Sequence, residues 1–264
     1  MRTLKRIKRI IKKILFLSPG PAAKYVYDSS HSIVNDYGEF SGLSIEEIES
    51  RINTYKSLTA KEWNDLSASG FKAKSEMFYG ISAFYICDIL AVNVSKEALK
   101  KKLNGFSPLI LASIKDHPGR RLLEFGGGTG VFCELAYDMG KDVTYLDIPG
   151  QQFEFAKWRF QKYQLPIRMV ASQPGKLKLE EKFDIIFTDA VMEHLPDPYT
   201  PTAELCRSLE KGGIFVMLVD LSGEEDDMPM HSDVDIVKLH AVLSGAGLAN
   251  LHGLNQFASI WSKT

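Results

Sequence analysis

The sequence predicts an α/β fold: a doubly wound, mostly parallel sheet with a C-terminal antiparallel hairpin and an N-terminal helical cap. Three observations predict it. Beyond His117-Pro118-Gly119, short apolar runs alternate with amphipathic segments, the pattern of βαβ units with helices on both sheet faces. The first run ends in a glycine-rich turn, Gly126-Gly127-Gly128-Thr129-Gly130. From Asp28 to about His117 no strand-like alternation occurs, and apolar residues recur at helical spacing.

In the back half, strands are expected at 121–125, 143–147, 167–171, 183–188 and 214–219, with helices near 131–139, 151–163, 201–210 and 235–244. Asn250–Leu254 and Ala258–Trp261 form the closing hairpin. Gly140 suits the end of the first helix and Gly212-Gly213 the end of the fourth. In the front half, Ser44 with Glu47 three residues on is a capping box. Ile45, Ile48, Ile52 and Tyr55 then follow a helical period. Thr59 to Ser67 is expected to cap a separate short helix around Trp63. Phe71 to Val92 is rich in aromatics, Ser95 starts another helix, and Ser107-Pro108 starts one that runs to about Lys115. The organisation expected is an arm at 1–20, a cap at 21–117 and a sheet domain at 118–264.

Of the 264 residues, 45% are apolar and 25% charged, ordinary for a globular chain. No run of eighteen apolar residues is present, so no membrane span is expected. Cys87, Cys133 and Cys206 are widely spaced, which argues against a disulfide framework or zinc knuckle and fits a cytoplasmic setting. The net charge of −1 conceals an asymmetry: residues 1–27 carry eight Lys or Arg and no acid. Within Met1–Leu17, Leu4, Ile7, Ile10, Ile11, Ile14, Leu15 and Leu17 fall on one arc of about 160° of a helix, with the basic residues opposite. Ser18-Pro19-Gly20-Pro21 stops it. Such an arm suits an anionic membrane surface, at the inner face of the membrane. The other reading docks it on the acidic body or on a second copy, as in a homodimer. The acidic body and the lack of base-reading groups argue against a nucleic-acid partner.

The chemistry-bearing residues gather at the carboxyl ends of the strands, where sheets of this class bind ligands. Glu124 stands on the first strand just before the glycines, and Asp147 ends the second strand, placed to accept from ribose hydroxyls. The dinucleotide fingerprint G-x-G-x-x-G fails, since its third glycine would fall on Val131 or Cys133. A pyrophosphate beside Glu124 would be repelled, whereas a sulfonium and an ammonium would be attracted. The ligand expected is cationic at one end and ribosylated at the other.

Here the sequence resembles the class I S-adenosylmethionine-dependent methyltransferases of the small-molecule type. Leu123–Gly130 matches their first motif and Thr144–Ile148 their second, and Phe183–Pro198 resembles the fourth-strand motif. Leu209–Phe215 resembles the turn into their fifth strand. The resemblance covers about residues 115–264. It implies S-adenosyl-L-methionine as cofactor, bound by Glu124, Gly126, Gly127, Gly128, Thr129, Gly130, Asp147, Ile148, Ser172 and Asp189. One departure stands out: where the family usually has an acid for the adenine amino group, this chain has Ala171-Ser172-Gln173-Pro174, leaving Ser172 or Gln173 to make that contact.

Methyl transfer is an in-line displacement in which the protein mainly positions the reactants. An oxygen or nitrogen acceptor also needs its proton removed. Asp189 at the end of the fourth strand, His194 five residues on, and His231 after the acidic loop Glu224–Asp227 are the candidate bases. The loop carboxylates with His231, Asp233 and Asp235 read as solvated charges, and no metal site is assigned. The expected activity is O-methylation of a small-molecule or glycan- or lipid-linked acceptor. The alternatives are a soluble natural-product tailoring enzyme and a tethered cofactor-binding module without turnover.

Overall fold

The computed structural model describes residues 33–92, 95–172, 177, 179–220, 229–253 and 258–264. The basic arm, Gln173, Pro174 and the acidic loop Glu224–Asp227 lie outside them.

Six helices come first: α1 (Ile33–Ser41), α2 (Ile45–Asp65), α3 (Phe71–Ile81), α4 (Tyr85–Val92), α5 (Lys96–Phe106) and α6 (Pro108–Asp116). The capping box at Ser44 is present, with its hydroxyl accepting from Glu47 N and the Glu47 carboxylate accepting from Ser44 N. The separate helix expected at Thr59–Ser67 does not form. Thr59 is buried and its hydroxyl donates to the Tyr55 carbonyl, so α2 runs unbroken for 21 residues. Ser95 and Ser107 cap α5 and α6 as expected, each accepting from a main-chain N–H.

The back half follows in the order β1 (Arg121–Phe125), α7 (Val131–Asp138), β2 (Asp142–Asp147), α8 (Gln151–Lys162), β3 (Arg168–Ala171), β4 (Phe183–Asp189), a short 3-10 turn (Met192–His194), α9 (Tyr199–Ser208), β5 (Leu209–Leu218), α10 (Ile236–Gly245), β6 (Leu248–Gly253) and β7 (Ala258–Lys263). The seven strands lie in the order β3-β2-β1-β4-β5-β7-β6. The first five are parallel, and β7 runs antiparallel to β5 and β6. The order reverses between β1 and β4, which opens a crevice at their carboxyl ends. This is the expected sheet, with one correction. Gly212-Gly213 does not end a helix, because α9 stops at Ser208 and β5 starts at once at Leu209. The β4–β5 register shifts between Phe183 and Ile185. Gly212 (φ +79°) and Gly213, which packs on the Asp184 carbonyl, accommodate that irregularity inside the strand.

Side chains alternate across the sheet. Leu123, Phe125, Leu146, Ile186, Phe215 and Met217 face one way, onto Leu205 of α9 and Leu239 and Leu243 of α10. Leu122, Val143, Tyr145, Ile185, Phe187 and Val216 face the other, onto α7 and α8. The second core extends into the front half, taking in Tyr37, Ile48, Leu90, Leu103 and Ile114. His117 therefore marks a change of element type, and the apolar core crosses it.

Candidate functional site

The site is built from the last residues of β1, β2 and β4. Glu124 lies opposite Tyr145 in β2 and opposite Phe187 in β4. With a side-chain period of two, Glu124, Asp147 and Asp189 all project from the face that carries the front helices. Three carboxylates on three adjacent strands thus converge on the crevice.

Glu124 is 6% exposed, and its Oε2 has no hydrogen-bond partner. Burial pushes its carboxyl well above the usual carboxylate range, against a hydrogen bond from Cys133, and the nearby Asp189 and Asp147 push it further. Burial also raises Asp147, to about 6. Asp147 is held by its neighbours: Oδ2 accepts from Gly128 N at 2.7 Å, and Oδ1 from Ile148 N at 2.7 Å. The Tyr145 hydroxyl donates toward the Gly128 carbonyl at 2.8 Å and lies 3.3 Å from Asp147 Oδ2.

The glycine loop is fastened to β2. Gly126 N donates to the Leu146 carbonyl at 2.8 Å. A side chain on Gly127 would meet the Tyr145 ring at 2.4 Å. At Gly130 the backbone is left-handed (φ +77°), and a Cβ would meet Phe160 at 2.5 Å. Thr129 is buried, and its carbonyl accepts from Arg159 Nη1 at 2.9 Å. Arg159 also pairs with Asp36 of α1 and Glu134 of α7 at 2.9 and 2.7 Å, with all three side chains nearly out of solvent. A buried cation therefore ties α1 to the underside of the loop. Above the loop, Ile89 of α4 approaches Gly128.

Ile148 packs with Trp63, Phe78, Tyr79, Tyr85 and Met230. Phe78 and Tyr79 of the aromatic stretch are thus buried near the end of β2. Ser172 N donates to the Asp147 carbonyl at 2.8 Å, which places Ser172 beside Asp147.

Asp189 forms an ion pair with Lys102 of α5 at 2.7 Å, with side chains 12% and 18% exposed. Ala190 follows in the left-handed region (φ 54°), its N–H bonded to the Leu218 carbonyl. His194 sits among aromatic rings: Tyr79 and Tyr85 meet it edge-on, and the His231 ring lies 4.6 Å away. Its Nδ1 is 2.7 Å from the Tyr79 hydroxyl, and its ring also bonds the Ala190 main chain. Burial, helped by His231, pushes it well below 6.5, so it is neutral at pH 7. The structure thus brings His194 and His231 together and holds Asp189 apart in its own ion pair.

Four participants carry no clear mark in the sequence. Lys102 ends the run Lys100-Lys101-Lys102, which reads as a solvated face. Arg159 looks like a surface residue of an amphipathic helix. Tyr145 was legible in principle, since it precedes Asp147 by two and must share its face. Glu193 is 1% exposed, its Oε1 accepts from Asp220 N, and its Oε2 has no hydrogen-bond partner.

A family model described as a methyltransferase domain matches residues 123–217, which span β1 to β5 and so the whole acid-lined crevice. Residues 123–217 are thus similar to a methyltransferase domain. Among curated proteins it is similar to the ubiquinone biosynthesis O-methyltransferase of Paramagnetospirillum magneticum, 28% identical over 44% of this chain and 53% of the relative. The enzyme of that name from Pelagibacter ubique is 30% identical over 44% of this chain and 54% of the relative. The chain thus spans about half the length of the curated relatives it matches. Among solved structures, magnesium protoporphyrin IX methyltransferase from Synechocystis PCC 6803 with bound S-adenosylmethionine shares the fold. Its TM-score is 0.54 at 12% identity, over 76% of this chain and all of that one. An S-adenosylmethionine-dependent methyltransferase from Mesorhizobium loti aligns with a TM-score of 0.50 at 16% identity, over 59% and 96% of the two chains.

The residues present fit that cofactor. An unpartnered, buried carboxylate oxygen on Glu124 suits an ammonium group. Asp147 retains acceptor capacity for ribose hydroxyls beyond the bonds it already receives. No helix among the described residues is long and apolar enough to cross a membrane.

Proposed function

We propose that the chain is an S-adenosylmethionine-dependent O-methyltransferase acting on a small-molecule or glycan- or lipid-linked acceptor. The observation that carries the cofactor part is Glu124, whose buried oxygen lacks a partner between the glycine loop and two further acids. Bound there, the cofactor would supply an electrophilic methyl group on a sulfonium. Glu124 and Asp147 hold its amino and ribose ends; Gly126, Gly127, Gly128, Thr129 and Gly130 let the main chain approach it closely. Ile148 and Ser172 flank the adenine, and Asp189 faces the sulfonium side. The relatives' name, ubiquinone biosynthesis O-methyltransferase, supports oxygen as the methylated atom.

The acceptor side is assigned to the aromatic and histidine cluster. His231 takes the acceptor proton, and His194, bonded to Tyr79 and the Ala190 main chain, fixes the orientation of its neighbour. The arm at 1–17 rests on an anionic membrane surface at the cytoplasmic face, where a lipid-linked acceptor would be met.

Transfer of labelled methyl from the cofactor to phenols, carboxylic acids and lipid-linked sugars tests the activity. The expected result is transfer to a hydroxyl acceptor, with His231→Ala cutting kcat by about a hundredfold or more while cofactor affinity stays intact. Cofactor binding with no transfer to any of these classes would favour a binding module without turnover. Flotation with anionic liposomes tests the arm, and loss of binding on deleting residues 1–20 is expected. An unchanged float, or a dimer that dissociates on deletion, would refute it.

A further inference from the structure

The crevice gathers three carboxylates, while the ligand of the proposed reaction brings two cationic groups, an ammonium and a sulfonium. Glu124, Asp147 and Asp189 project from three neighbouring strands, and both Asp147 and Asp189 act electrostatically on Glu124. Into this edge the cap inserts a cation. Helix α5 is anchored by Leu99 and Leu103, both buried, and started by the Ser95 cap. Lys102 leaves the flank of that anchored face, and its Nζ ends 2.7 Å from Asp189 Oδ2. An ion pair between two largely sequestered side chains is screened far less than one in open water.

The cofactor of the proposed reaction and its product differ by one charge at one atom: a sulfonium before transfer, a neutral thioether after it. A site with too many uncompensated carboxylates would favour the sulfonium strongly. A site overcompensated by cations would favour the thioether and retain product. We propose that Lys102 is the specificity-determining residue that sets this balance, by neutralising Asp189 so that cofactor and product are held with similar strength. The inference rests on the reading of the crevice as an S-adenosylmethionine site.

Charge predicts a pattern that a mechanical latch does not. Breaking a latch between α5 and β4 would weaken both ligands by the same factor. Removing a charge changes their ratio. The test is calorimetric titration of the full-length chain with S-adenosylmethionine and S-adenosylhomocysteine, for wild type and four variants. Lys102→Met leaves Asp189 uncompensated, and the preference for sulfonium over thioether is expected to rise roughly tenfold, the scale of a unit charge several ångströms away at intermediate dielectric. Asp189→Asn leaves Lys102 uncompensated, and the preference is expected to fall. The double variant Lys102→Met/Asp189→Asn should return to within about twofold of wild type, because the two charges cancel. Lys102→Arg should leave the ratio where it was. A ratio unmoved by Lys102→Met, or both affinities changed by one factor, overturns the proposal. Wild-type protein that binds neither ligand would instead overturn the cofactor reading beneath it.

Discussion

The carboxyl edge of the sheet and the helical cap above it are built on different principles. At the sheet edge, each functional side chain is placed by its own strand: two residues along the chain return to the same face, and three neighbouring strands deliver three acids. In the cap, placement depends on contacts between segments remote in sequence. Tyr79 reaches His194 across 115 positions, Lys102 reaches Asp189 across 87, and Asp36 reaches Arg159 across 123. Local geometry writes itself into sequence as spacing, whereas long-range pairing leaves no periodic mark.

The largest effect that would sharpen this contrast lies at Arg159, where the two regions are joined. Arg159→Met strands the Glu134 carboxylate in a dry interior and takes from Asp36 one of its two cations, leaving Lys162 at 2.9 Å, and should cost about 3–5 kcal/mol of unfolding free energy in urea denaturation. A cost under about 1 kcal/mol would show that the front helices are not braced through this ion pair.

Gly127→Ala comes next. Its methyl group would press on the buried Tyr145 ring, and overpacking of this kind costs about 1–3 kcal/mol. Tyr145 also positions Asp147, so cofactor affinity should fall with stability. Retained affinity in a destabilised variant would separate loop packing from binding.

The pH dependence of Asp147 is a subtler probe. Its folded value, about 6, lies above its ordinary 3.8, so the folded chain holds this proton more tightly than the unfolded one. The group's stabilising contribution is full below 3.8 and is lost as pH rises through 6. Cofactor affinity should run the opposite way, weakening as pH drops through 6, because a protonated carboxyl surrenders charge and acceptor capacity. Asp147→Asn should flatten that dependence, as read from dissociation constants between about pH 5 and 8.

The smallest effect belongs to the cap alone. Ser44→Ala removes the α2 capping box and should cost about 1 kcal/mol, visible as a lowered Tm, with cofactor affinity unchanged. A shift in affinity would mean that α2 communicates with the crevice.

Much of the sheet is legible in the sequence. Strand positions, the hairpin and Gly140 follow from alternation and turn chemistry. The glycine loop, Glu124 and Asp147 follow from motif spacing. The points of difference have physical causes. Gly212-Gly213 resembles a helix stop because glycine permits left-handed backbone anywhere, and here the need arises inside β5. Thr59 resembles a helix start because its hydroxyl is a good cap, yet in α2 that hydroxyl bonds back to the preceding turn. Lys102 and Arg159 are invisible as site residues because an inward-turned cation on an amphipathic helix has the same sequence signature as a solvated one.

The acids at the sheet edge are proposed to form the cofactor site. Equilibrium dialysis of the full-length chain against labelled S-adenosylmethionine, for wild type, Glu124→Gln and Asp147→Ala, tests it most directly. Wild type should bind saturably at one site, with affinity weakened by roughly tenfold or more in each variant, since each loses a charge-assisted hydrogen bond. Equal binding by all three proteins would contradict it.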